Sequence, residues 1–159
     1  MPLNGLSEVL WHQRNLLELL LFKLEEEQLI LTSGRSRWLA HATREVETVL
    51  DEIRTAELGR ALAAELAAVT LGLPAESSLA QIAAAAPAPW DELLRAHREA
   101  FASLSSEIGQ LADGNRELLA MSHRATQETL ASLQDVSTYD VTGHSAPSER
   151  VAQLVDRTF

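Results

Sequence analysis

"NLLELLLFKLEEEQLILTSGRSRW", residues 15–38, holds the fold in miniature: a run of leucines crossed by three glutamates, a break at Ser33-Gly34, and a restart of helical spacing. Upstream, Leu3, Leu10, Leu17, Leu24 and Leu31 recur at every seventh position, with Leu6 and Leu20 in the companion positions of a heptad. This is the seam of a coiled-coil-like helix, weakened on its second line by Gln13 and Glu27. Glycine takes the left-handed conformation without a Cβ penalty, so the first helix is expected at about 4–33, stopping at Ser33-Gly34.

Downstream, Ser36 is a candidate N-cap, and Leu39, Ala42, Val46, Val49, Ile53 and Ala56 keep one face apolar. A second helix is expected at about 36–71, ended by Leu71-Gly72-Leu73-Pro74. So short a turn makes the first two helices antiparallel neighbours. Residues 72–88 read as a compact connector punctuated by Pro74 and Pro87, with room for one short helix after Ser77 and alanines that bury little.

From Pro89 the chain is free of proline to about Asp135, and its apolar lines again repeat at seven. One is Trp90, His97, Leu104, Leu111, Leu118, Ala125; the other is Leu94, Phe101, Ile108, Asn115, Ser122, Thr129. The stripe turns polar toward its end. Gly109 and Gly114 each cost about 1 kcal/mol in a helix interior, so the spacing leaves open a continuous helix, a bend between them, or a break that folds the helix back. The fold class is therefore all-α: an elongated antiparallel three-helix coiled-coil-like bundle over residues 1–135, with a long third helix at about 89–135. Residues 136–159 read as a flexible C-terminal tail, in which Val151, Leu154, Val155 and Phe159 form a short amphipathic turn or two. A third helix of that length outreaches the first two by about 20 Å, which leaves an overhang for a partner helix.

Composition narrows the function. The 159 residues carry a formal net charge of −10 with Lys23 as the single lysine, which argues against nucleic acid as a partner. Cysteine is absent, so disulfides and thiolate metal sites are excluded and a cytoplasmic setting is expected. Nothing reads as a secretion signal or a membrane span, because Glu18, Lys23 and the glutamate trio interrupt the best apolar stretch.

No catalytic or cofactor-binding group is expected. Carboxylate-bridged metal bundles need a Glu with a His three residues on, and that spacing does not occur. Glu8 with His12 and His41 with Glu45 are four-residue pairs, and both read as solvated. Glu25, Glu26 and Glu27 point in three directions round a helix and also read as a solvated face near a helix end. His97 falls on an apolar line and reads as a bundle residue. There is no phosphate loop and no nucleophile elbow. Asn115 is different: an amide on an apolar line needs a partner, and in bundles it often fixes register. Tyr139, the one tyrosine, offers a flat apolar face with a polar tip for a docking contact.

Several stretches together resemble the FlgN-type flagellar export chaperones. They are "LEEEQLILTSGRSRWLAHATREVETVLDEIRTAELGR" (24–60) with its terminal Glu57 and Arg60, the "LGLP" connector (71–74), "GNRELL" (114–119) and "STYDVTG" (137–143). The resemblance implies a cytosolic helical protein without catalysis, binding the C-terminal helical segments of the hook-filament junction proteins. It further implies delivery to the cytoplasmic domain of the export gate. On that reading cargo binds the late third helix and tail, at Asn115, Leu118, Leu119, Ser122, Thr126, Leu130 and Leu133, with Tyr139 as a cargo or gate contact. Against it stand a general coiled-coil adaptor or dimerisation domain, whose homodimer would use the same stripe, and a small-molecule or metal-binding bundle.

Overall fold

Glycine and proline cut the chain where the spacing expects, but the pieces differ in length from the expectation. A computed structural model describes residues 1–143, with side chains to residue 138. It contains α1 (Pro2–Ser33), a 3-10 turn (Ser36–Trp38), α2 (Leu39–Thr70), α3 (Leu79–Ala85) and α4 (Trp90–Gly143). The expected tail boundary at 135 is corrected, because α4 continues through Val136 to Gly143. A fading apolar stripe marks where a helix leaves its bundle, and backbone hydrogen bonds carry it onward without tertiary contact. Residues 144–159, including the expected amphipathic turn at Val151, Leu154, Val155 and Phe159, lie outside the described residues.

The helix ends follow from local chemistry. Gly34 sits at φ 72° after the last turn of α1. Gly72, at φ 74°, closes α2 in a Schellman arrangement: Leu73 N donates to Ala68 O at 2.9 Å and Gly72 N to Val69 O at 3.0 Å. Ser36 is not the N-cap that its position suggests. It opens the 3-10 turn, and α2 starts after Trp38 with no side-chain cap bond.

The connector is more ordered than its alanine content indicates. Ser78 and Gln81 form a reciprocal capping box that starts α3, with Ser78 N donating to Gln81 Oε1 at 2.8 Å and Gln81 N to Ser78 Oγ at 3.3 Å. Ile82, Ala83 and Ala86 are buried, so this segment belongs to the core. The peptide between Ala88 and Pro89 is cis.

Residue pairings define the topology. Along α1, Gln13 meets Glu57, Lys23 meets Glu45 and Glu27 is met by Thr43, so partner numbers fall and α2 runs antiparallel to α1. Trp11 packs edge-on to His97, and Asn115 reaches Leu24 and Glu27, so partner numbers rise and α4 runs parallel to α1. The core lies in two clusters. At one end Leu3, Leu6 and Leu10 of α1 meet Ala64, Ala67 and Ala68 of α2, Ile82 and Ala83 of α3, and Leu94 of α4. The three alanines of α2 leave room for α3 to lie against it. Nearer the α1–α2 turn, Leu20 and Leu24 meet Val46 and Val49, with Ile108 and Leu111 of α4 packed alongside. Each fully buried leucine stabilises the fold by roughly 1.5–3 kcal/mol relative to exposure.

Gln13 and Glu27, the apparent weak points of the seam, are buried and form its polar connections. Gln13 Nε2 donates to Glu57 Oε2 at 2.9 Å, and Arg60 forks onto the same carboxylate, Nε at 2.8 Å and Nη2 closer still on the second oxygen. That hydrogen bond from Arg60 is the main cause of a Glu57 pKa below the usual carboxylate range. Glu27 corrects the reading of the glutamate trio. Glu25 is exposed and Glu26 half-buried, whereas Glu27 is buried and held by two other helices.

Candidate protein-binding site

At the level of Glu27 the three long helices are joined by one polar node. Asn115 Nδ2 donates to Leu24 O at 2.9 Å and to Glu27 Oε1 at 3.0 Å, while Thr43 Oγ1 donates to Glu27 Oε2 at 3.1 Å. A buried carboxylate is tolerated only when its lone pairs are occupied, and here one helix supplies the acid and the other two supply donors. Asn115 thereby fixes the register of α4 on α1. Its side chain is 2% exposed and engaged within the bundle, so the structure places it beneath the candidate cargo face rather than on it.

Beyond that node α4 leaves the hairpin. The helix has 54 residues and is about 80 Å long, against about 48 Å for the 32-residue helices α1 and α2. It passes through Gly109 and Gly114 unbroken, so the chain does not fold back there. Leu118 and Leu119 are half-buried, residues 120–132 are exposed throughout, and Leu133 is half-buried. Thr126 lines the same groove as Gly34 and Ser36 of the α1–α2 turn, and about 25 Å of helix lies beyond it to Gly143.

A groove of about 560 Å³ lies where the helix clears the turn, lined by Ile30, Leu31, Arg37 and Leu39 on the hairpin side and by Ser122 and Thr126 on α4. Leu119, Ser122, Thr126, Leu130 and Leu133 continue along one face of α4 at three- and four-residue steps. The polar members of the stripe are less polar than their names. Thr126 Oγ1 donates to Ser122 O at 3.0 Å and Thr129 Oγ1 to Ala125 O at 2.9 Å, so their hydroxyls turn back to the helix and their methyl groups stay available for contact. The rim carries cations in an otherwise acidic chain: Arg35 and Arg37 are exposed in the turn, and Arg37 lies 4.6 Å above the Trp38 ring.

Of the residues singled out from sequence, Ser122 and Thr126 line the groove, Leu119 lines a separate one beside Leu20, Leu24 and Ile108, Leu118 is half-buried, and Leu130 and Leu133 lie further along α4. Asn115 lies in the core, and the Tyr139 side chain lies outside the described residues. Sequence reasoning missed the hairpin half of the groove. Ile30, Leu31 and Leu39 read as seam residues, and spacing alone does not tell which seam positions lose their cover when a neighbouring helix diverges.

His97 lies where the apolar line puts it, buried between the Trp11 ring at 4.9 Å and Phe101 at 6.3 Å. Burial, with Arg14 nearby, lowers its pKa, so it is a neutral packing residue. Among the described residues no three His, Asp or Glu side chains gather as a metal site, and no helix is long and apolar enough to cross a membrane.

A continuous helix projecting past its hairpin, with a groove at the point of departure, offers a surface along which another helix could lie. The family comparison agrees. The FlgN protein family matches residues 1–143, and the chain belongs to that family, whose role is flagellar export chaperone. No curated protein and no solved structure matches it.

Proposed function

We propose that the protein is a cytoplasmic chaperone of flagellar type III export that binds the C-terminal helical segments of the hook-filament junction proteins and hands them to the cytoplasmic domain of the export gate. The observation that carries this reading is the length of α4, which outruns α1 and α2 while keeping an apolar line on its bare part. An amphipathic cargo helix lying along Leu119, Ser122, Thr126, Leu130 and Leu133 extends the bundle by one strand of its own seam. Leu118 and the groove at Ile30, Leu31 and Leu39 close one end of that contact. Arg35 and Arg37 favour a cargo helix with acidic residues at the corresponding end. Tyr139, six residues beyond Leu133, is assigned as a further contact, to cargo or to the gate.

The shallow side chains Ser122, Thr126 and Thr129 suit a transient partner. A deep leucine groove would hold cargo more tightly than delivery permits. Calorimetric titration with each junction-protein C-terminal segment is expected to give saturable one-to-one binding with a negative heat-capacity change. Leu130→Asp is expected to weaken that binding at least tenfold while leaving the helical circular dichroism unchanged. Absence of binding to every segment, with the fold intact, overturns the reading.

A further inference from the structure

The central helix of the bundle is α1: α2 and α4 each pack along it, while the backbones of α2 and α4 scarcely approach one another. The cleft left over α1 is filled at one end only. There α3 lies between α2 and α4, with Ile82 and Ala83 in one cluster with Leu3, Leu6 and Leu10 of α1, Ala67 of α2 and Leu94 of α4. Further up, the cleft is open. A groove of about 430 Å³ is lined by Leu17, Leu24, Val46, Ser105, Ala112 and Leu119, and the groove at the hairpin turn, with Leu31, Leu39 and Thr126, comes next.

The two openings are in register on all three helices. Leu17, Leu24 and Leu31 of α1, Val46 and Leu39 of α2, and Ser105, Ala112, Leu119 and Thr126 of α4 each recur at seven residues, the spacing of one helix face. Followed downward, the α1 line reaches Leu10 and Leu3 and the α2 line reaches Ala67, both in the cluster with α3. Both grooves and the seat of α3 are therefore segments of one cleft. Leu17 remains half-buried in the open part, whereas Leu3, Leu10 and Leu24 on the same line are buried.

We propose that the cargo helix of the reading above continues past the hairpin turn into this cleft, in line with α3, and there completes a four-helix bundle. The identity of the partner rests on that reading, and the place on three observations. First, the cleft already holds a helix at its other end, and α3 shows what fits: where α2 presents alanines the helix comes close, and one isoleucine fills the space. In the open stretch it is α4 that presents small side chains, Ser105 and Ala112. A visiting helix therefore lies closest to α4 and sets its larger aliphatic side chains against Leu17, Val46 and Leu50.

Second, the open track is continuous with the cargo line on the overhang, since Leu119 belongs to both. Third, its length suits one helix. The cluster of Gln13, Glu57 and Arg60 lies between the seat of α3 and Leu17, and from Leu17 to Leu31 the track runs about 21 Å, which takes a helix of about 14 residues. A second copy fits less well. Among the described residues the one helix that stands clear of the bundle is the end of α4, which the cargo reading already uses.

Ser105 supplies the test, because it is exposed on the groove wall and lies about 21 Å below Leu119, out of reach of a helix confined to the overhang. The chain has no cysteine, so Ser105→Cys is a unique attachment point for a photo-crosslinker. Irradiation of the labelled full chain with a junction-protein C-terminal segment is expected to join the two. In calorimetry Ser105→Trp, which fills the groove, is expected to weaken binding of that segment about tenfold with the helical circular dichroism unchanged. A segment that binds without the cross-link, or that tolerates Ser105→Trp, overturns the extension and leaves the overhang contact standing. No binding of any segment overturns both. A cross-link within one chain would give the cleft to residues 144–159, and a cross-link between two copies would give it to a second copy; either outcome rejects cargo as its occupant.

Discussion

The two halves of α4 share one heptad pattern and have opposite surroundings. From Trp90 to Asn115 the pattern is filled by Leu94, His97, Phe101, Leu104, Ile108 and Leu111, all buried or half-buried against the other helices. Beyond Leu118 it continues through Ser122, Ala125 and Thr129 into solvent, with Thr126 and Leu130 beside it. Helix formation needs only backbone hydrogen bonds and tolerable propensities, whereas burial needs a neighbour. The apolar period therefore reports where a partner is wanted, and at the far end of α4 the chain supplies none among its described residues.

The sharpest way to break this comparison is to make the same truncation on both halves. Leu94 is fully buried in the cluster formed with Leu6, Leu10 and Ile82, so Leu94→Ala is expected to lower unfolding free energy by about 2–5 kcal/mol. Leu130 is 40% exposed on the overhang, and Leu130→Ala is expected to stay within about 0.5 kcal/mol in the absence of cargo. Urea titrations of the two variants decide it. Equal losses would mean that the overhang is packed in solution.

Asn115 marks the border between the halves. Asn115→Ala removes two hydrogen bonds and leaves the Leu24 carbonyl and the Glu27 carboxylate short of donors in the interior, an expected cost of about 1–3 kcal/mol. Loss of stability without loss of affinity for cargo would sharpen the division between a residue that sets register and the face beyond it. Loss of affinity at unchanged stability would return Asn115 to the binding site.

A smaller effect follows from His97 in the buried half. Its pKa is lowered chiefly by burial and secondarily by Arg14, so the folded state binds fewer protons than the unfolded state just below the ordinary histidine value of 6.5. Stability is then fully present above that pH and falls as pH drops through it toward the folded pKa. His97→Phe is expected to remove part of the stability change between neutral pH and mild acid, as read by chemical denaturation at a series of pH values.

The sequence carried much of this and concealed the rest for identifiable reasons. The heptads of α1 and α4, the turn at Gly34 and the stop at Gly72 were legible because leucine spacing and left-handed glycine have local causes. The order of the connector was not, since Ile82, Ala83 and Ala86 are core only because Ala64, Ala67 and Ala68 of α2 leave space for them. Glu27 was misread because its two neighbours are solvated and nothing adjacent in sequence announces Asn115, 88 residues away. The face of α4 was legible as an apolar line, but the hairpin half of its groove depends on where two helices part.

The smallest expected effect concerns the glycines that lie on the buried side of the border. Gly109 has no atom within 4 Å of a Cβ built on it, so Gly109→Ala is expected to stabilise the protein by about 0.5–1 kcal/mol through helix propensity alone. At Gly114 the added Cβ meets Gln28 Nε2 at 3.8 Å, an ordinary contact, and a similar gain is expected. Both gains follow if α4 is one stiff helix from the core into the overhang, since the folded state then keeps the helical conformation that alanine favours. If this stretch instead opens and closes in solution, part of the gain is lost at that hinge and cargo affinity shifts with the substitution. Thermal unfolding of the two variants, paired with the same calorimetric titration, separates a rigid projection from a jointed one.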